Sequence, residues 1–258
     1  MESRTLQLVI QYDGSQFYGW QRQLNTRTVQ GVLEDAMERL CGTHISVLGA
    51  GRTDAGVHAF GQAAGVNVPE RWTAPEMKRA LNAVLPQDVR IAQAIPMRAD
   101  FHARYSALSR SYRYLVGTDA DADSPFRNRL ELAWRRPIDR KLLDGAAALI
   151  AGDHCFRGFA VKGTAPESDD HHCIVMHSSW VERNGGLAFE IRANRFLHHM
   201  VRFLVGTMLD IASGRKDPGL IANLLKSGDN SMVSPPAPAH GLYLEKVEYP
   251  MELYLVAA

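Results

Sequence analysis

The chain has 258 residues, 46% of them hydrophobic and 22% charged, with a formal net charge of +1. This length and balance allow one large or two smaller domains around apolar cores, and exclude a disordered, fibrous or globally polycationic chain. Cys41, Cys155 and Cys173 are odd in number and lack a C-x-x-C pair, so a reducing compartment is expected rather than a disulfide framework.

From Met1-Glu2 the sequence passes directly into alternation at Leu6, Leu8 and Ile10, which predicts a half-buried first strand and no apolar signal segment. Asp13-Gly14 turns the chain. Phe17, Tyr18 and Trp20, close to Arg22, read either as a small core cluster or as rings that stack on bases. Thr28 is placed to cap a helix whose stripe runs through Val29, Val32, Leu33, Ala36, Met37 and Leu40 and closes at Gly42. Strands are expected over 45–50 and 62–68. Thr73-Ala74-Pro75-Glu76 is a capping box with proline in the first turn, and Pro86 ends that helix. Val89, Ile91 and Ile95 predict another strand. The first section therefore reads β-α-β-β-α-β, the split ferredoxin-like order.

The second section repeats this grammar loosely. A strand is expected over 112–116, then a polar connection over 119–128. A helix follows, with Leu142, Leu143, Ala146, Ala147 and Ile150 on one face and Gly152 beyond its end. Segments 173–182 and 187–193 form a hairpin around Asn184-Gly185-Gly186. A long helix is expected over 196–213, too short to span a bilayer and carrying His198, His199 and Arg202. Asp217-Pro218 starts another helix, 231–239 is a proline-rich loop, and Leu242 opens the last strand. Residues 101–141 carry nine Lys/Arg against five acids, either a solvated face or a patch for a polyanion.

The stretch with the most chemistry is Gly49-Ala50-Gly51-Arg52-Thr53-Asp54-Ala55-Gly56-Val57-His58-Ala59-Phe60-Gly61-Gln62, which joins the strands expected over 45–50 and 62–68. One cation, one hydroxyl, one carboxylate and one imidazole are spaced by small residues. Glycines let a bulky ligand approach the backbone, and a carboxylate two residues after an arginine suits a nucleophile or base. The plainer reading is a hairpin turn in which Asp54 bonds its own backbone.

GAGRTDAGVHAFGQ resembles the signature of the tRNA pseudouridine synthase A family. Tyr12-Asp13-Gly14 with Phe17-Tyr18-Gly19-Trp20-Gln21-Arg22-Gln23 resembles the family's opening, and Thr28-Val29-Gln30 with Leu33-Glu34 its first helix. Leu81-Asn82-Ala83-Val84-Leu85-Pro86, Phe101-His102-Ala103-Arg104, Arg110-Ser111-Tyr112-Arg113-Tyr114 and the run from Ala193-Asn194 to Arg202 follow in order. Ala237-Pro238-Ala239-His240-Gly241-Leu242 completes the set, so the resemblance covers nearly the whole chain.

The resemblance implies an α+β fold. Two ferredoxin-like halves, 1–107 with the Asp54 loop and 108–258, build one mixed, mostly antiparallel sheet with helices on one side and a central RNA-binding cleft. It implies a cytoplasmic homodimer isomerising uridine to pseudouridine at tRNA positions 38, 39 and 40 in the anticodon arm. Asp54 is the implied nucleophile, Arg202 its ion-pair partner, and Tyr112 the ring that stacks on the target uracil. Leu242 resembles the apolar residue closing the pocket, and Arg52 is placed for RNA phosphate or for the space left by a displaced base. The reaction breaks the C1′–N1 bond, turns the uracil and rejoins it through C5. No cofactor or metal is required, because the electrons stay within the nucleotide. One carboxylate is required, to attack C1′ or C6 or to take the C2′ proton.

His154-Cys155-Phe156-Arg157-Gly158-Phe159 departs from the family's usual histidine-aspartate-phenylalanine segment. With His171, His172, Cys173 and His177 it crowds thiols and imidazoles into a short window, the basis of a competing zinc-hydrolase reading. A non-catalytic RNA-binding module is the other alternative, and the presence of Asp54 with residues matching its partners argues against it.

Overall fold

The computed structural model describes residues 3–164, 168 and 170–255. Met1-Glu2 and positions 256–258, at the ends of the expected halves, lie outside the described residues. Two compact units are formed, one by Met1–Arg110 with Tyr243–Ala258, the other by Ser111–Leu242.

In the first unit the order is β1 (Ser3–Tyr12), α1 (Val29–Cys41), β2 (Leu48–Gly49), β3 (His58–Pro69), α2 (Ala74–Val84) and β4 (Val89–Pro96). β1 pairs antiparallel with both β3 and β4, and β2 lies antiparallel to β3. β10 (Leu242–Glu248) joins the same sheet, with Tyr243 opposite His58 in parallel register. Alternation on β1 sends Leu6, Leu8 and Ile10 into a core that includes Leu33, Met37, Met77 and Leu81, all fully buried. Each such side chain contributes about 1.5–3 kcal/mol by leaving water.

The local signals act as expected here. Thr28 accepts the Gly31 N–H at the start of α1, and Gly42 ends it with φ 74°. Thr73 and Glu76 form the reciprocal capping box of α2. Beyond it, the Asn82 side-chain amide donates to the Ile91 carbonyl and accepts its N–H at 2.9 and 2.8 Å, fixing α2 to β4. The strand expected over 45–50 is ordered as a ladder only at Leu48–Gly49. The one expected over 62–68 starts earlier, at His58, because β10 supplies a partner there.

The second unit contains β5 (Ser109–Gly117), β6 (Leu132–Ala133), α3 (Arg140–Ala148), β7 (Gly152–Cys155), β8 (His172–Arg183), β9 (Gly186–Ala193), α4 (Met200–Ala212) and α5 (Leu220–Ser227). Its strands run in the order β5-β9-β8-β7, with β6 parallel to β5. Arg183 faces Gly186 across a two-residue turn, in which Gly185 takes φ 79°, a left-handed backbone that glycine adopts without strain. α3 and α4 bury Leu143, Ala146, Leu204 and Met208 beside Trp180 and Phe189 of the hairpin. α4 is shorter than the expected 196–213. His199 adopts φ 61°, which breaks helical geometry, so the helix begins at Met200.

The α+β class and the mixed, mostly antiparallel pairing agree with the sequence reading. Among the described residues, no helix is long and apolar enough to cross a membrane.

Candidate active site

In the first unit the Asp54 loop is fastened along its backbone. Ala50 N–H donates to the Ala63 carbonyl at 2.8 Å, and the Ala50 carbonyl accepts from the Arg110 guanidinium at 3.0 Å. The fully buried Gln62 donates to the Gly51 carbonyl at 3.1 Å. The Thr53 carbonyl accepts the Trp20 N–H at 3.0 Å, and the Thr53 hydroxyl meets the Tyr12 hydroxyl at 2.8 Å. Past the aspartate, Val57 N–H donates to the Asp54 carbonyl at 3.2 Å, and Gly56 N–H to the Phe17 carbonyl at 3.2 Å. Gly56 has φ 79°, so the chain reverses directly after a half-buried Asp54. Such anchoring holds a carboxylate in one geometry before any ligand arrives, a prerequisite for rapid chemistry at a fixed atom.

Two of the four functional groups expected in this loop are structural. Thr53 is buried against Tyr12. His58 is 2% exposed, accepts the Gly14 N–H on Nδ1 at 3.0 Å and stacks on Tyr243 with centroids 4.7 Å apart. Burial also resolves the reading of the aromatic opening, since Phe17 and Trp20 are core residues whereas Tyr18 is 64% exposed. Gly19 has φ 87°, and a Cβ there would stand 2.6 Å from the Thr53 carbonyl oxygen. The opening segment is thus a clamp on the loop. Sequence reasoning missed Tyr12 and Gly19 in this role. The only signal for them was their place in motifs that carry no obvious chemistry. Arg52 is exposed.

In the second unit, the segment between Ala237 and Gly241, which leads into Leu242, is bonded to Arg202 and to Tyr114 of β5. Arg202 Nε donates to the Ala237 carbonyl at 2.7 Å, and Ala237 N–H returns a bond to the Arg202 carbonyl at 2.9 Å. Tyr114, fully buried, donates its hydroxyl to the Pro238 carbonyl at 2.8 Å. Gly241 lies flat on the Tyr114 ring, where a Cβ would come within 2.7 Å of the ring, and Leu242 follows at 5% exposure. Tyr112, two residues before Tyr114 on β5, is half-buried and meets Phe196 edge-to-face at 5.0 Å. Burial, with Arg202 as a secondary influence, depresses the pKa of His240 and so favours a neutral imidazole.

Several of the cations over 101–141 stand in ion pairs. Arg127 pairs with Asp119 at 2.9 Å and Glu131 at 2.7 Å, Arg135 with Asp123 at 2.5 Å, and Arg140 with Asp144 at 2.8 Å. That part of the stretch is a salt-bridged surface. The His/Cys window is a β-hairpin that pairs His154 with Cys173 and Cys155 with His172 across β7 and β8. His154 Nε2 lies 2.8 Å from the Ala151 carbonyl, His172 Nδ1 2.9 Å from Asp153, and Cys155 donates to the Asp170 carbonyl. Cys173 is fully buried. Among the described residues, these side chains form no set of three ligating atoms close enough to share an ion. Strand pairing accounts for their proximity.

A family model described as tRNA pseudouridine synthase matches residues 8–106 and 146–250. The tRNA pseudouridine synthase A of Brachyspira hyodysenteriae is 39% identical over 243 residues, covering 93% of this chain and 96% of that protein. That of Chloroflexus aurantiacus is 41% identical over 250 residues, covering 96% and 89%. That of Geobacillus kaustophilus is 39% identical over 250 residues, covering 96% and 95%.

Proposed function

The chain belongs to the tRNA pseudouridine synthase family, and from that premise we propose that it isomerises uridines 38, 39 and 40 in the anticodon arm of tRNA, with Asp54 as the nucleophile. The observation that carries this reading is the anchored Asp54 loop, in which the family signature is held rigid on both sides of its carboxylate.

In this reading Asp54 begins the cleavage of the C1′–N1 bond, and Arg202 balances its charge once the target base has displaced water. Tyr112 stacks on the uracil after it leaves the helix, a contact worth about 1–3 kcal/mol per base. Leu242 closes the apolar side of the pocket, and Arg52, exposed beside the nucleophile, contacts RNA phosphate. The enzyme acts in the cytoplasm as a homodimer that binds one tRNA across both subunits, and requires neither cofactor nor metal.

The test is to incubate the enzyme with unmodified tRNA transcripts carrying uridine at each position and to map pseudouridine by site. Product at 38, 39 or 40 supports the assignment, and product confined to other positions refutes it. Sedimentation of the protein with and without tRNA tests the dimer.

A further inference from the structure

The Phe101-His102-Ala103-Arg104 motif and the tyrosine after it have no place in the chemistry above, yet they make an unusual surface. Tyr105 is 78% exposed. Large exposed rings on free loops lose entropy when they bind, but this loop is already fixed. The Arg104 and Tyr105 N–H groups both point at His102 Nδ1, at 3.1 and 3.3 Å. Ser106 closes the turn, its N–H donating to the His102 carbonyl at 2.9 Å while its hydroxyl accepts the His102 N–H at 3.1 Å. The Arg110 guanidinium donates to the Arg104 carbonyl at 2.7 Å.

The rings are arranged to match. His102 backs Tyr105 with centroids 4.4 Å apart, and the guanidinium of Arg104, itself exposed, lies 5.7 Å from the tyrosine centroid. Residues 101–110 contain two arginines and no acid. His102 also lines a hollow of about 180 Å³ with Leu48 and Phe101, above Thr5, Gly65 and Asn67. In the β1–β3 register these last three residues belong to the face opposite Leu6, Leu8 and Val66, so the platform stands on the side of the sheet away from that core. A pre-fixed, exposed aromatic with a guanidinium over its ring, next to a hollow lined by the adjoining His102, matches what an unpaired nucleotide needs, a stacking plane and a phosphate partner.

We propose that Tyr105 and Arg104 form a second RNA-contact site on the first unit, where Tyr105 stacks on an unpaired nucleobase of the tRNA and Arg104 holds an adjoining phosphate. The site rests on the reading of the chain as a tRNA-modifying enzyme. It contributes to holding the substrate and takes no part in the bond-breaking step.

The test compares wild type, Tyr105→Ala, Tyr105→Phe and Arg104→Gln by tRNA affinity at several salt concentrations and by single-turnover pseudouridine formation at saturating enzyme. Tyr105→Ala is expected to weaken binding about tenfold and Tyr105→Phe by no more than about twofold, because stacking needs the ring and not the hydroxyl. Arg104→Gln is expected to weaken binding and reduce the salt slope by about one. The saturated single-turnover rate stays at the wild-type value in all three. Unchanged affinity in Tyr105→Ala, or equal losses in Tyr105→Ala and Tyr105→Phe, would overturn the proposal. If wild type binds tRNA in a Tyr105-dependent way yet forms no pseudouridine, the stacking site stands and the functional reading fails.

Discussion

The Tyr12 hydroxyl and the Thr53 hydroxyl meet at 2.8 Å, each on a side chain at least 93% buried, one residue before Asp54. Two elements distant in sequence, the end of β1 and the signature loop, are joined by this contact.

Tyr12→Phe removes one partner and leaves the Thr53 hydroxyl buried against an apolar edge. The expected loss is about 1–2 kcal/mol of unfolding free energy, measured by urea denaturation. Because the bond aims the loop and does not touch substrate, the saturated single-turnover rate should fall more than tRNA affinity does. A variant that loses stability alone would show that the contact serves the fold only.

Thr28→Ala should cost about 1 kcal/mol through loss of the α1 cap. The Gly31 N–H then loses its side-chain acceptor at Thr28, a position that is 1% exposed. Thermal melts measure the loss, and the variant should keep its activity at temperatures where it remains folded.

His240 gives a pH dependence with a definite sign. Burial lowers its folded pKa below the unfolded value of about 6.5. The unfolded chain therefore takes up this proton first as pH falls. The contribution is complete above about 6.5, declines as pH drops through that value and levels off below the folded pKa. Melting temperatures from about pH 8 to about pH 5 should show this acid-side decline in wild type and a shallower one in His240→Gln.

Dialysis against a chelator should leave pseudouridine formation unchanged, since His154, His172 and Cys155 are bonded within their hairpin. Loss of activity restored by zinc would contradict a metal-free reaction.

What the sequence disclosed and what it concealed divide along physical lines. Thr28, Gly42, the Thr73/Glu76 box and the Asn184-Gly185 turn act through residues a few positions away, so their patterns were legible. The start of α4 was not, because Phe196 and Leu197 continue the helical pattern while His199 takes a left-handed backbone. The parallel pairing of Tyr243 with His58 is set by contacts far apart in the chain, and it turned an expected loop imidazole into a buried strand residue. At the candidate site, the turn that carries Asp54 was legible from its glycines, of which Gly56 takes φ 79°. Tyr12 was hidden because a hydroxyl at a strand end has no spacing rule that marks it.

The central claim is that Asp54 carries the chemistry. The most direct measurement compares wild type with Asp54→Ala on an unmodified tRNA transcript, mapping pseudouridine by site beside tRNA affinity and circular dichroism. Product at positions 38, 39 or 40 in wild type, with none in a variant that still folds and binds, is the predicted result. Full activity in Asp54→Ala would contradict the account.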